Sequence, residues 1–203
     1  MTISQDVLSQ LTEFNYIPVI DGSGSNTKSD TKNGQSRWDY MKENLGAFCR
    51  GMDKIDSDGL DFVVMNKGIV KTYPGITGQS VDGIFEGIEP SGGTPLHEAI
   101  QAGIVLARSS NKKALLTVFT DGEPDYEDKV FDVIRDAANS AKTDDELNIL
   151  FIQVGKDAQA TKFLRKLDDN IPGATRDIVK SLTIEEAEQF DSVADMIVSA
   201  LKH

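Results

Sequence analysis

The sequence predicts an α/β fold: a doubly wound, mostly parallel central sheet of about six strands, with one antiparallel edge strand and helices on both faces. Three observations lead there. Short apolar runs alternate with amphipathic stretches almost to the C-terminus, the pattern of strand–helix units joined by crossovers. One pair of apolar runs is joined instead by the turn Asn66-Lys67-Gly68, a hairpin signal that supplies the antiparallel strand. Several of the runs are continuous rather than alternating, as strands buried on both faces require.

Residues 16–20 form the first such run and stop abruptly at Asp21-Gly22-Ser23-Gly24-Ser25, so they read as a buried strand emptying into a loop. Residues 26–35 are polar and turn-rich and should be an exposed loop. Ser36 followed by Asp39 makes a capping pair for a helix through about Cys49, with Trp38, Met41, Leu45 and Phe48 as its apolar stripe. Residues 60–65 and 69–73 are the two arms of the hairpin. A short helix is expected over 81–88. Ser91-Gly92-Gly93-Thr94-Pro95 then leads into a helix through about Arg108, because Pro suits the first helical position. Residues 114–120 are the clearest central strand and end at Asp121-Gly122. A helix at about 127–142, a strand at 147–154, a helix at about 158–167, a short strand at 177–182 and a last helix at roughly 185–202 complete the order. No repeat, second core or long linker divides the chain, so residues 14–203 read as one domain after an N-terminal extension, 1–13.

A chain of 203 residues, 39% hydrophobic, is long enough to bury a proper core. Lys and Arg total 21 against 33 Asp and Glu, a formal charge of -12. Without a basic stripe to displace counterions, neither nucleic acid nor an anionic membrane is an expected partner. Cys49 is the only cysteine, so no internal disulfide speaks for an oxidising compartment. The N-terminus lacks the basic start and apolar run of a signal peptide, and no apolar stretch approaches a membrane span. The expected location is the cytoplasm, or the host cytoplasm for a phage-encoded chain.

Asp21, Ser23 and Ser25 alternate with glycines, so in a near-extended strand exit one carboxylate and two hydroxyls point the same way. Thr94 follows two glycines at the start of a helix, and Asp121 arrives from what should be the neighbouring strand end. In doubly wound sheets ligands bind beyond the carboxyl ends of the strands, where strand order reverses. Each piece alone has an ordinary reading as a loop, a helix cap or a turn; together they converge on that crevice. All five groups are hard oxygen donors, which argues for Mg2+ or Mn2+ over zinc.

These residues resemble the metal-ion-dependent adhesion site of von Willebrand factor A-type domains, whose three loops carry Asp-x-Ser-x-Ser, a later Thr and an Asp in Thr-Asp-Gly. The likeness extends to Ser36-Arg37-Trp38, Asp58-Gly59-Leu60 and Thr120-Asp121-Gly122-Glu123-Pro124. It covers roughly residues 14–202 and is nearest to compact intracellular bacterial and phage members, tellurite-resistance-associated ones included. It implies a Rossmann-like fold in which Ser23, Ser25 and Thr94 bind the ion directly while Asp21 and Asp121 act mostly through water. It further implies Mg2+, with Mn2+ or Ca2+ as alternatives, and an open position filled by an Asp or Glu of a protein partner.

The function expected is therefore a non-enzymatic, cation-dependent interaction module. The alternatives are a metal-dependent hydrolase acting on a phosphoester and a structural or assembly subunit whose metal only stabilises the fold. Against the hydrolase, the sequence offers no Walker loop, no Gly-x-Ser-x-Gly elbow and no dyad. One departure from the family is the polar stretch beginning at Asn26, with Lys28, Asp30 and Lys32, expected to be a solvated insertion. His97 is expected in a surface or packing role, Asp56-Ser57-Asp58-Gly59 in a turn, Cys49 in the core, and Glu123, Asp125 and Glu127 in a solvated acidic loop.

Overall fold

The structure, a computed structural model, describes residues 5–201. The remaining residues of the expected N-terminal extension (1–4) and of the expected last helix (202) lie outside the described residues. The chain runs α1 (Gln5–Leu11), β1 (Phe14–Asp21), a 3-10 turn (Gly24–Thr27), α2 (Arg37–Met52), β2 (Leu60–Asn66), β3 (Ile69–Ile76), α3 (Val81–Phe85), α4 (Leu96–Ser109), β4 (Lys113–Thr120), α5 (Glu127–Ser140), β5 (Leu147–Gln153), α6 (Ala158–Asp169), β6 (Val179–Thr183), α7 (Ile184–Ala187) and α8 (Val193–Ala200).

The six strands stand in the order β3-β2-β1-β4-β5-β6. Every pair is parallel except β2 with β3. This is the expected doubly wound sheet with one antiparallel edge. The hairpin closes through Lys67 and Gly68, both at positive φ (55° and 71°), the backbone that matches strand twist in a two-residue turn. The edge strand β3 is made of exposed and half-buried residues only and carries Pro74, which discourages pairing with a further strand.

Alternation along the central strands sorts the core into two layers. Tyr16 and Ile20 of β1, Leu115 and Phe119 of β4, and Leu150 and Ile152 of β5 face a cluster with α2, α3 and α8. Ile17 and Val19, Leu116 and Val118, and Ile149 and Phe151 face the opposite cluster, formed with α4, α5 and α6. These strands are buried on both sides, which explains their continuous apolar composition. The Ser36 hydroxyl caps α2 by accepting from the Asp39 N–H at 3.0 Å. The stripe Trp38, Met41, Leu45 and Phe48 is buried, each side chain contributing about 1.5–3 kcal/mol. Cys49 is buried beside them.

Four expectations need correction. The last helix is two, because Thr183 and Glu186 form a capping box that starts α7 and the Ser192 hydroxyl separately caps α8. Helix α3 is shorter than its apolar residues suggested and ends at Phe85. Pro95 occupies the cap position and α4 begins at Leu96, so Thr94 precedes the helix rather than starting it. Residues 26–35 are not simply exposed, since Asn26 and Thr31 are buried. At the other end, α1 places Leu11 in the first core layer, and the Tyr16 hydroxyl donates to the Leu11 carbonyl at 2.7 Å. No helix among the described residues is long and apolar enough to cross a membrane.

Helix α4 packs against the sheet through Gly103. A Cβ on Gly103 would sit 2.7 Å from Cδ2 of Leu116. Gly103→Ala is therefore expected to overpack this contact and destabilise the domain by about 1–3 kcal/mol, readable in urea denaturation.

Candidate metal centre

The reversal of strand order falls between β1 and β4, and both strands deliver an aspartate there. Asp21 and Asp121 are fully buried. Asp21 is held at both oxygens: Oδ1 accepts from the Ser23 N–H at 2.9 Å, and Oδ2 accepts from the Thr120 hydroxyl at 2.6 Å. The Ser23 and Ser25 hydroxyls lie 3.1 Å apart, brought together by the 3-10 turn that begins at Gly24 rather than by the near-extended strand exit the sequence suggested. Buried Asn26 closes this loop by donating from Nδ2 to the Asp21 carbonyl at 3.0 Å and approaching the Ser23 Oγ at 3.3 Å.

The second loop is tied to the first through backbone. Gly24 N–H donates to the Gly92 carbonyl at 3.1 Å, and Ser91 N–H to the Gly22 carbonyl at 3.0 Å. Gly92 has φ 79°, and a Cβ there would lie 2.7 Å from the Lys67 Cα, so only glycine lets this loop settle against the hairpin. Thr94, only 4% exposed, is fixed by Asp125, which accepts from the Thr94 N–H at 2.9 Å and returns its own N–H to the Thr94 carbonyl at 3.0 Å. Among the described residues no hydrogen bond engages the Thr94 hydroxyl. Asp125 is exposed, as expected of this acidic loop, and from there its carboxylate clamps the second loop.

The third loop holds the largest surprise. The Asp121 Oδ2 accepts from Nη1 of Arg37 at 2.9 Å, while Asp121 Oδ1 is buried without a protein partner. Arg37 is only 1% exposed and also grips Asp30, donating from Nε to Oδ1 at 2.8 Å and from Nη2 to Oδ2 at 2.6 Å. The polar insertion therefore has a structural role, and its Asp30 locks a buried guanidinium onto one of the two strand-end aspartates. Gly155 (φ 85°) makes room for that guanidinium, since a Cβ there would meet Arg37 Nε at 2.2 Å. Arg37, Asp30, Asn26, Thr120 and Asp125 support the site, whereas the sequence presents them only in the family likeness, the polar insertion and the acidic loop and assigns none of them to the metal.

Burial and the nearby Asp121 charge push the Asp21 carboxyl up to about 6. Arg37 holds Asp30 down at about 2, chiefly through their hydrogen bonds. Glu123, on the rim, is raised by its hydrogen bond with Asp157 and by burial. Because Asp21 titrates higher when folded than its ordinary 3.8, the folded chain binds more protons than the unfolded one between those values. The contribution of Asp21 to stability thus falls as pH rises through the window from about 4 to about 6. Denaturation midpoints measured in chelator across that window should decline relative to those of Asp21→Asn, and saturating Mg2+ should abolish the difference. Parallel midpoints for the two proteins in chelator would contradict this.

Among the described residues, no group of three or more His, Cys, Asp or Glu side chains is placed to hold a metal. A cation at this crevice would have to rely on hydroxyls alongside the two aspartates. The donor set fits a small hard ion: the Thr94 hydroxyl is uncommitted, the serine hydroxyls keep free lone pairs, and Asp121 Oδ1 lacks a partner.

No family model matches this sequence, and no curated protein does. Solved structures match over most of the chain. The SpRpn10 VWA domain aligns with a TM-score of 0.61 at 10% identity, over 91% of this chain and 93% of that one. An aerotolerance-related membrane protein from Bacteroides fragilis aligns at 0.55 with 23% identity, over 70% of this chain and 68% of that one. The manganese-loaded TRAP protein of Plasmodium vivax aligns at 0.58 with 13% identity, over 87% of this chain and 71% of that one. The fold is that of a von Willebrand factor A-type domain.

Proposed function

We propose that this chain is a divalent-cation-dependent protein-interaction domain in which Asp21, Ser23, Ser25, Thr94 and Asp121 hold one ion, Mg2+ in the cell. The observation that carries this reading is Asp121 Oδ1, a fully buried carboxylate oxygen with no protein donor. Leaving such a group unsatisfied is costly, and a hydrated cation would satisfy it. Charge points the same way. Three carboxylates (Asp21, Asp30 and Asp121) against one guanidinium (Arg37) leave two negative charges, which a divalent ion balances.

When bound, the ion supplies a Lewis-acidic position that an oxygen ligand from outside can occupy. The chain's own residues prepare that position. Thr120 and the Ser23 N–H orient Asp21, Arg37 orients Asp121, and Asp125 fixes the loop that carries Thr94. Hydroxyl ligands neutralise no charge, so the ion keeps its appetite for a carboxylate, and we assign that carboxylate to an Asp or Glu of a protein partner. That TRAP is manganese-loaded on the same fold supports the cation part of this reading.

We favour a binding module over a phosphoester hydrolase. His97, the nearest candidate base in sequence, packs its ring edge-on against Tyr126 with centroids 5.8 Å apart. We place the domain in the cytoplasm, where its lone and buried Cys49 stays reduced.

Calorimetric titration of Mg2+ and Mn2+ tests the reading. One saturable site is expected, with the apo protein stabilised by about 2.7 kcal/mol at a hundredfold excess over Kd. Absence of heat and of a melting shift at millimolar metal would overturn it. Partner capture in Mg2+ and in chelator then separates a metal-bridged partner from a purely structural metal, and phosphoester turnover lost in Asp121→Ala would restore the hydrolase.

A further inference from the structure

Helix α6 turns toward solvent a face whose charge runs against the rest of the chain. Lys162, Arg165 and Lys166 recur there at helical spacing, opposite the buried Ala160, Phe163, Leu164 and Leu167. With Lys32 and Lys156 they line a groove of about 780 Å3 that also takes in Thr183 and Glu185, at the end of β6 and in α7. Five cations border this groove against two carboxylates, Asp169 and Glu185, whereas the whole chain carries 21 against 33.

The four cations other than Lys32 are free. Among the described residues, Lys156, Lys162, Arg165 and Lys166 form no ion pair within 4.0 Å, a state they share with other surface cations such as Lys54 and Lys71; what sets them apart is that they border one groove. Like charges three and four residues apart on a helix repel one another, so this stripe is tolerated at a cost that a bound polyanion would relieve. The groove also adjoins the candidate metal centre. Gly155, one of its lining residues, lies directly against the Arg37 guanidinium that holds Asp121.

We infer that the groove seats an acidic peptide segment of the protein partner, so that one carboxylate reaches the metal while its acidic neighbours run along α6. This rests on the metal-bridged reading proposed above. A nucleic-acid strand fits less well, because such grooves interleave cations with aromatic platforms for the bases, and no residue lining this groove is aromatic.

Fluorescence anisotropy with a labelled ten-glutamate peptide tests the inference, at an ionic strength near 0.15 M where the Debye length of about 8 Å screens the distant acidic surface. The proteins are wild type, the triple variant Lys162→Glu, Arg165→Glu and Lys166→Glu, and Thr94→Ala, each in Mg2+ and in chelator. The triple variant should lose at least about tenfold in affinity in both buffers, since three exposed charge contacts are reversed. Thr94→Ala in Mg2+ should bind as wild type does in chelator. Should the triple variant not fold by circular dichroism, the corresponding glutamine variants replace it. Wild-type binding that matches the triple variant within twofold, or no wild-type binding at all, overturns the groove. So does displacement of the peptide by ten-residue oligouridylate at lower concentration than by unlabelled peptide. Groove-dependent binding that is indifferent to chelator would overturn the metal reading and leave the groove standing.

Discussion

Arg37→Ala is expected to destabilise the domain by about 3–5 kcal/mol in chelator, the cost of breaking a buried ion pair from one side. The size follows from what the guanidinium leaves behind. Asp121 Oδ1 already lacks a protein partner, so losing Arg37 strips Oδ2 as well and leaves a fully buried carboxylate without any donor. Asp30 simultaneously loses both of its bonds to Arg37, releasing the insertion from the site. Arg37→Lys should recover part of the loss, because an ammonium keeps the charge but cannot grip Asp30 through two nitrogens while reaching Asp121 with a third. The informative comparison is with Mg2+. A cation at the crevice would neutralise the abandoned Asp121, so the destabilisation measured by urea denaturation should shrink when metal is saturating. A loss identical in Mg2+ and in chelator would mean that Arg37 and the cation do not share Asp121.

What was readable in advance follows from which signals are local. Residues 16–20, 114–120 and 147–154 are apolar without alternation, and that alone says that helices cover both faces. From there the parallel sheet follows, and with it the meeting of Asp21 and Asp121 at its crevice. The Ser36 cap and the stripe of α2 were legible for the same reason, since cap and periodicity are properties of a few consecutive residues. Arg37 was not. It stands 84 residues from Asp121, and nothing in its neighbourhood distinguishes a buried arginine from an ordinary charge in the first turn of a helix. The loop over 26–35 misled by composition. Its polarity is real, but Asn26 and Asp30 turn that polarity inward onto backbone and guanidinium, and only the fold places those partners within reach. The break between α7 and α8 was hidden because apolar spacing continues across it, while the capping groups of Thr183 and Ser192 decide where each helix starts.

Thr94→Ala should leave the apo protein within about 1 kcal/mol of wild type while removing the cation. The argument is that Thr94 is held in place by its backbone, not by its side chain: Asp125 takes its N–H and gives one back to its carbonyl. Its hydroxyl makes no protein hydrogen bond among the described residues, so truncating the side chain at Cβ leaves no protein donor stranded, in contrast to Arg37. If the hydroxyl is a direct ligand, its loss should cost more than the roughly 10–100-fold in metal affinity typical of an outer-sphere partner. Thr94→Ser, which restores the oxygen, should recover most of it. Calorimetry with Mn2+ on the three proteins checks both expectations, and equal affinities would remove Thr94 from the site. The same variant also separates the interaction module from the structural alternative. Were the metal only a staple for the loops, Thr94→Ala would lose the thermal stabilisation by Mg2+ and still hold its partner below the melting transition. A partner lost together with the metal, from a domain that remains folded, is the outcome expected when someone else's carboxylate completes the coordination.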